Sequence, residues 1–73
     1  LEIRGLRVFD RDGKDMGFIS DVELIGNTNK ISALGIKHGF FGKKIIVPYG
    51  YVDRVGDGVI LNASKNEILS LGK

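Results

Sequence analysis

The residues in this chain that could do chemistry are few, and each comes with a spacing that can be tested. Asp10-x-Asp12-Gly13 alternates two carboxylates ahead of a glycine, a pattern that can wrap a hard cation. A calcium loop needs a third ligand two residues on and a closing bidentate glutamate, and neither stands at the required place. Arg11 and Lys14 lie beside the carboxylates, so a tight hairpin turn is the better reading and no metal site is expected. His38 is the single histidine and cysteine is absent, which removes cysteine–histidine nucleophile pairs and cysteine-based zinc sites. Ser20, Ser32, Ser64 and Ser70 could each be written into a triad with His38, yet none sits in a nucleophile elbow. The expectation is a protein without catalytic residues, metal or cofactor.

The stretch Gly39-Phe40-Phe41-Gly42-Lys43-Lys44 is the most unusual in the chain. It lacks the glycine spacing and the Ser/Thr of a phosphate loop. Read as a hairpin tip, it sets two phenylalanines among Lys37, His38, Lys43 and Lys44. Aromatic rings among cations can stack single-stranded nucleic acid, and they can equally anchor a protein interface. One phenylalanine plugging the end of a barrel, with the lysines merely solvated, is the plainer alternative.

The elements that must position these residues are read from turns and alternation. At 73 residues the chain holds one domain, and a domain this small buries only roughly 60% of the surface its unfolded chain exposes. The net charge is +2 and its distribution is uneven. Residues 1–36 carry five Lys/Arg against six Asp/Glu, and residues 37–73 carry six against three, so the basic character lies in the second half. No apolar run approaches the ~20 residues that span a bilayer, and no signal segment opens the chain, so the default expectation is a cytoplasmic protein. A chain that opens on Leu1 rather than Met is expected to be either a trimmed form or one part of a longer polypeptide.

Eleven glycines and one proline among short aliphatic runs describe strands and turns. Strands are expected at residues 3–9, 16–25, 30–37, 43–49, 51–55 and 59–61. The second must absorb an extra residue near Ser20-Asp21, where its apolar parity shifts between Ile19 and Val22, and the third slips between Ile31/Ala33 and Leu34/Ile36. Two bent strands favour a small closed barrel over a flat sheet. Ser64-Lys65-Asn66-Glu67 has capping-box spacing and opens a short helix whose Ile68, Leu69 and Leu71 need covering, by the barrel or by a second chain. The division expected is a barrel over residues 1–62 and a helical tail over 63–73.

The run Gly13-Lys14-Asp15-Met16-Gly17-Phe18-Ile19-Ser20-Asp21-Val22-Glu23-Leu24 resembles the opening of PRC-barrel domains. Ile46-Val47-Pro48-Tyr49, Val52 with Val55-Gly56-Asp57, and Val59-Ile60-Leu61 come next in the family's order, so the resemblance covers about residues 3–62. The Gly-Phe-Phe-Gly-Lys segment is most similar to stand-alone, sporulation-associated bacterial versions and to small archaeal ones, with Tyr49 where the bacterial versions more often carry Trp. The resemblance implies an all-β, six-stranded barrel of the kind found in ribosome maturation factors, the photosynthetic reaction centre H subunit and archaeal division proteins. Those roles share protein docking and no reaction. The resemblance accordingly implies an adaptor that binds a protein partner or its own copy as a homodimer, and the candidate contacts are Phe40, Phe41, Ile68, Leu69 and Leu71. An RNA-associated module, of the RNA-processing or ribonucleoprotein kind, using Lys37, Lys43, Lys44 and the two phenylalanines, is the alternative.

Overall fold

A computed structural model describes residues 2–38 and 42–71. Six strands form one sheet: β1 (Arg7–Phe9), β2 (Asp15–Leu24), β3 (Ile31–Lys37), β4 (Lys44–Pro48), β5 (Val52–Val55) and β6 (Val59–Leu61). A 3-10 turn, Tyr49–Tyr51, links β4 to β5, and a helix, α1 (Lys65–Ser70), comes after β6. The spatial order is β4-β3-β2-β1-β6-β5. All neighbours are antiparallel except β1 and β6, which run parallel with Val8 opposite Val59.

The first strand begins four residues later than its apolar pattern suggests. Gly5 turns the chain at φ +93°, its N–H donates to the Ile19 carbonyl at 2.7 Å, and Leu6 N–H donates to Ile3 O at 3.2 Å. Ile3 therefore reaches the core from a turn, not from a ladder, and is 2% exposed. The slip expected in β2 is present at Ser20, whereas that of β3 falls at Ser32, between Ile31 and Ala33, and not between Ala33 and Leu34 as the apolar pattern suggests; each has a hydrogen-bonding rationale. Ile19 pairs with Ile36 and Asp21 with Gly35, so Ser20 is the extra residue, and its hydroxyl donates to the Gly35 carbonyl at 3.3 Å. Further along, Ser32 is extra on β3 and its hydroxyl donates to Glu23 O at 3.2 Å. Each bulge resets the alternation, which lets Ile19 and Val22 face the same interior although they are an odd number of residues apart.

A third bulge, not expected from the sequence, lies where β1 meets β2. Val8 pairs with Gly17 and Phe9 with Asp15, leaving Met16 to turn inward. Gly17 makes this possible: it sits at φ +107°, and a Cβ there would collide with the Lys37 carbonyl. The resulting core comprises Ile3, Val8, Met16, Ile19, Leu34, Ile36, Val47, Val59, Leu61, Ala63 and Ile68. Ala63 and Ile68 lie in the segment beyond residue 62, so the helical segment packs as part of the same core.

The sheet is curled but the expected closure is not a hydrogen-bonded one. β4 and β5 occupy opposite edges, yet only the three-residue turn Tyr49–Tyr51 separates them in sequence, so the two edges come within about 15 Å of each other at that end. Among the described residues no ladder joins them. Tyr49, Tyr51 and Val52 instead pack side chains against the core along this seam. Pro48, on the outer edge, has no ladder donor to supply there.

Candidate functional site

Asp10 shows how the sequence's most chemical-looking motif is used. Its carboxylate is fully buried: Oδ1 accepts from the N–H groups of Asp12 and Lys14, both at 2.8 Å, and Oδ2 accepts from Lys65 N–H at 2.8 Å. Burial alone would raise the Asp10 pKa, but the N–H donors of Lys14, Lys65 and Asp12 outweigh it and hold the carboxyl below its ordinary value. Arg11 N–H donates to Ala63 O at 3.0 Å alongside. The turn is thereby tied to the start of α1 by a carboxylate whose two oxygens are already occupied. Among the described residues no group of three potential metal ligands exists.

Helix α1 is capped as its sequence spacing suggests, with one difference. Ser64 Oγ accepts from Glu67 N–H at 3.3 Å, while the Glu67 carboxylate takes the Ser64 hydroxyl at 3.2 Å instead of the backbone donor. The helix is too short to persist alone, so its cap, the Asp10 bond and one buried side chain hold it. That side chain is Ile68, 1% exposed, while Leu69 and Leu71 are 44% and 42% exposed. The three residues expected to form one docking face are thus divided: Ile68 belongs to the protein's own core, and Leu69 and Leu71 remain outside.

The lysines divide as well. Lys44 pairs opposite Lys37 in the β3–β4 ladder and then reaches across Gly35, where a Cβ would meet both Lys44 Cδ and Asp21 Cβ, to place Nζ 2.9 Å from Asp21 Oδ2. The hydrogen bond to Asp21 raises the Lys44 pKa, and the same contact lowers that of Asp21. Lys44 is therefore already matched by an acid. Lys43 is exposed and Lys37 half-buried, and among the described residues neither makes an ion pair. Phe40 and Phe41 lie outside the described residues.

The base of the 37–44 loop and helix α1 meet around a pocket of about 180 Å³. Met16, Ile36, Ile45 and Leu69 supply its apolar surface, and His38, Lys43 and Lys65 its polar rim. Two segments that stand out separately in the sequence thus share one site. The pocket residues that the sequence does not flag are Met16, Ile36, Ile45 and Lys65, which are ordinary strand and helix positions made adjacent by the curl of the sheet. At this size it matches a single side chain and lies below the range of about 300–1,000 Å³ typical of small-molecule sites. At the opposite end of the β2–β3 hairpin lies an open hollow of about 620 Å³ between Glu2, Arg4, Val22, Leu24, Asn29 and Ile31. Its two charged residues are bonded to each other, with Arg4 Nη2 2.9 Å from Glu2 Oε2, so it presents no surplus charge.

A curled six-stranded sheet with a short helix packed into its core defines a small β-module. The family model of the PRC-barrel domain matches residues 2–68, and the chain belongs to that family. None of the curated proteins matches the chain.

Proposed function

We propose that this PRC-barrel domain is a non-enzymatic adaptor that docks a protein partner at the pocket between His38, Lys43 and helix α1. The observation that carries this reading is the convergence of exposed Leu69 with Lys43 and His38 on one apolar hollow. A partially exposed apolar side chain with polar groups at its rim suits the anchor of an interface. The absence of cysteine and the single histidine leave little for a catalytic role. The curled sheet is read as a barrel whose last seam, β4 to β5, is filled by Tyr49, Tyr51 and Val52 side chains.

RNA is the less favoured partner because Lys44, one of three lysines available to phosphate, is matched by Asp21. The test is affinity capture from a lysate of the source cells, with and without nuclease, using the wild type and Leu69→Glu. Protein bands that resist nuclease and vanish with Leu69→Glu, at an unchanged melting temperature, are expected. Bands that survive Leu69→Glu refute the site, and bands removed by nuclease favour RNA.

A further inference from the structure

We infer that the pocket between His38, Lys43 and helix α1 recognises an acidic segment of a partner protein that inserts one large apolar side chain between flanking carboxylates. This rests on the docking reading above and adds the partner's chemistry. The size sets the first half: about 180 Å³ lined by Met16, Ile36, Ile45 and Leu69 holds a single leucine- or phenylalanine-sized group.

The charges set the second half. Of the acids around this pocket, Asp15 is paired with Arg7 and Glu67 with Arg11 at 3.6 Å, while the buried Asp10 carboxylate is held by backbone N–H donors, that of Lys65 among them. Lys43 and Lys65 on the rim make no ion pair among the described residues. The surplus is therefore positive and lies at the pocket mouth, where an incoming carboxylate would replace solvent as its partner. Rim charges of this kind act mainly on association rate and on the choice of partner, while the inserted apolar group supplies the holding energy. The hollow at the far end of the hairpin lacks such a surplus and so does not select by charge.

The probes are two short fluorescein-labelled peptides, each with one central leucine, flanked in one by aspartate and glutamate and in the other by lysine. Fluorescence polarisation is read for the wild type, for Lys43→Glu/Lys65→Glu, and for Lys43→Glu alone, which leaves the helix untouched should the double variant not fold. The acidic peptide should bind the wild type saturably, at least about tenfold more tightly than the basic one, and weaken with salt. The charge reversals should invert that order. If both peptides bind alike, or neither binds, while Leu69→Glu still abolishes capture from lysate, the acidic partner is wrong and the docking site stands. If Leu69→Glu leaves capture intact, the docking site itself is wrong. Displacement of the acidic peptide by an equal concentration of single-stranded RNA, or by unlabelled protein that has doubled its mass in solution, would overturn the inference in favour of phosphate or of a second copy.

Discussion

Replacing Ile68 by alanine should destabilise the domain far more than replacing its neighbour Leu69. Ile68 is 1% exposed in the common core and Leu69 is 44% exposed, although both lie on the same six-residue helix. Truncating a buried isoleucine to alanine costs about 2–5 kcal/mol through lost transfer energy and the cavity left behind. A 73-residue domain has a total stability of roughly 4–11 kcal/mol, so the loss takes a large fraction of it. In a domain of this size each kcal/mol moves the melting temperature by about 4–8 °C, and Ile68→Ala should lower it by at least ~8 °C. Leu69→Ala removes a half-exposed side chain and should cost under about 1 kcal/mol, a shift of a few degrees. Because α1 depends on Ile68 for its anchoring, its amides should also lose hydrogen-exchange protection in the Ile68 variant and keep it in the Leu69 variant. Thermal melts by circular dichroism, with guanidinium titrations to check that the m-value is unchanged, measure both. Equal shifts for the two variants, or a melting temperature unaffected by deleting residues 63–73, would refute the assignment of Ile68 to the core.

Gly17→Ala should cost more than about 2 kcal/mol, since the left-handed backbone at φ +107° and the adjacent Lys37 carbonyl leave no place for a methyl group; a folded variant with wild-type denaturation midpoint would contradict this. Acid should destabilise the protein with a definite sign. The carboxyls of Asp10, Asp15 and Asp21 are held below their ordinary values and that of Glu2 down to about 2, so their contribution is present above the unfolded carboxylate range near pH 4 and is lost as pH falls below it. A melting temperature that holds steady from pH 7 to 5 and drops below about pH 4 is expected, with the drop smaller in Asp10→Asn, which starts less stable because its amide group faces the Lys65 N–H. Calorimetric titration with calcium should be flat, because both oxygens of Asp10 are filled by backbone donors; a stoichiometric micromolar signal would overturn that assignment.

Local features are legible in the sequence and long-range ones are not. The Asp10–Gly13 turn, the Ser20 bulge and the Ser64 cap each depend on residues within a few positions of each other, so turn chemistry and alternation reveal them. Gly5 is also a visible signal, but the apolar run from Ile3 to Phe9 hides it, and the pattern suggests a strand where a turn delivers Ile3 to the core. The parallel pairing of β1 with β6 has no local signature, because Val8 and Val59 meet only through collapse of the whole chain. Asp10 looks like a turn residue and is one, but its bond to Lys65 N–H, 55 positions away, has no trace in the spacing. The pocket obeys the same rule: its residues come from β2, β3, the 37–44 loop, β4 and α1, and only the exposed apolar helix and the basic loop announce themselves.

The division of labour within α1 bears on how so small a domain keeps a sticky surface without losing its fold. Among the described residues, six large apolar ones, Leu24, Ile25, Ile46, Val55, Leu69 and Leu71, stay at least 36% exposed while the core is closed by others. A core of this size has few interior positions, and in a sheet that presents two faces the surplus apolar groups must lie outside. Were docking and folding assigned to the same residues, every change of partner would threaten the fold. On the proposed docking reading, consecutive positions on one helix separate the two: Ile68 points into the core and Leu69 lines the pocket, with the Asp10 carboxylate fixing the helix from its first N–H. Substitution at Leu69 or Lys43 can then retune the surface while Ile68 and Asp10 preserve the support beneath it. Stability and partner choice should accordingly vary independently across variants of these four positions.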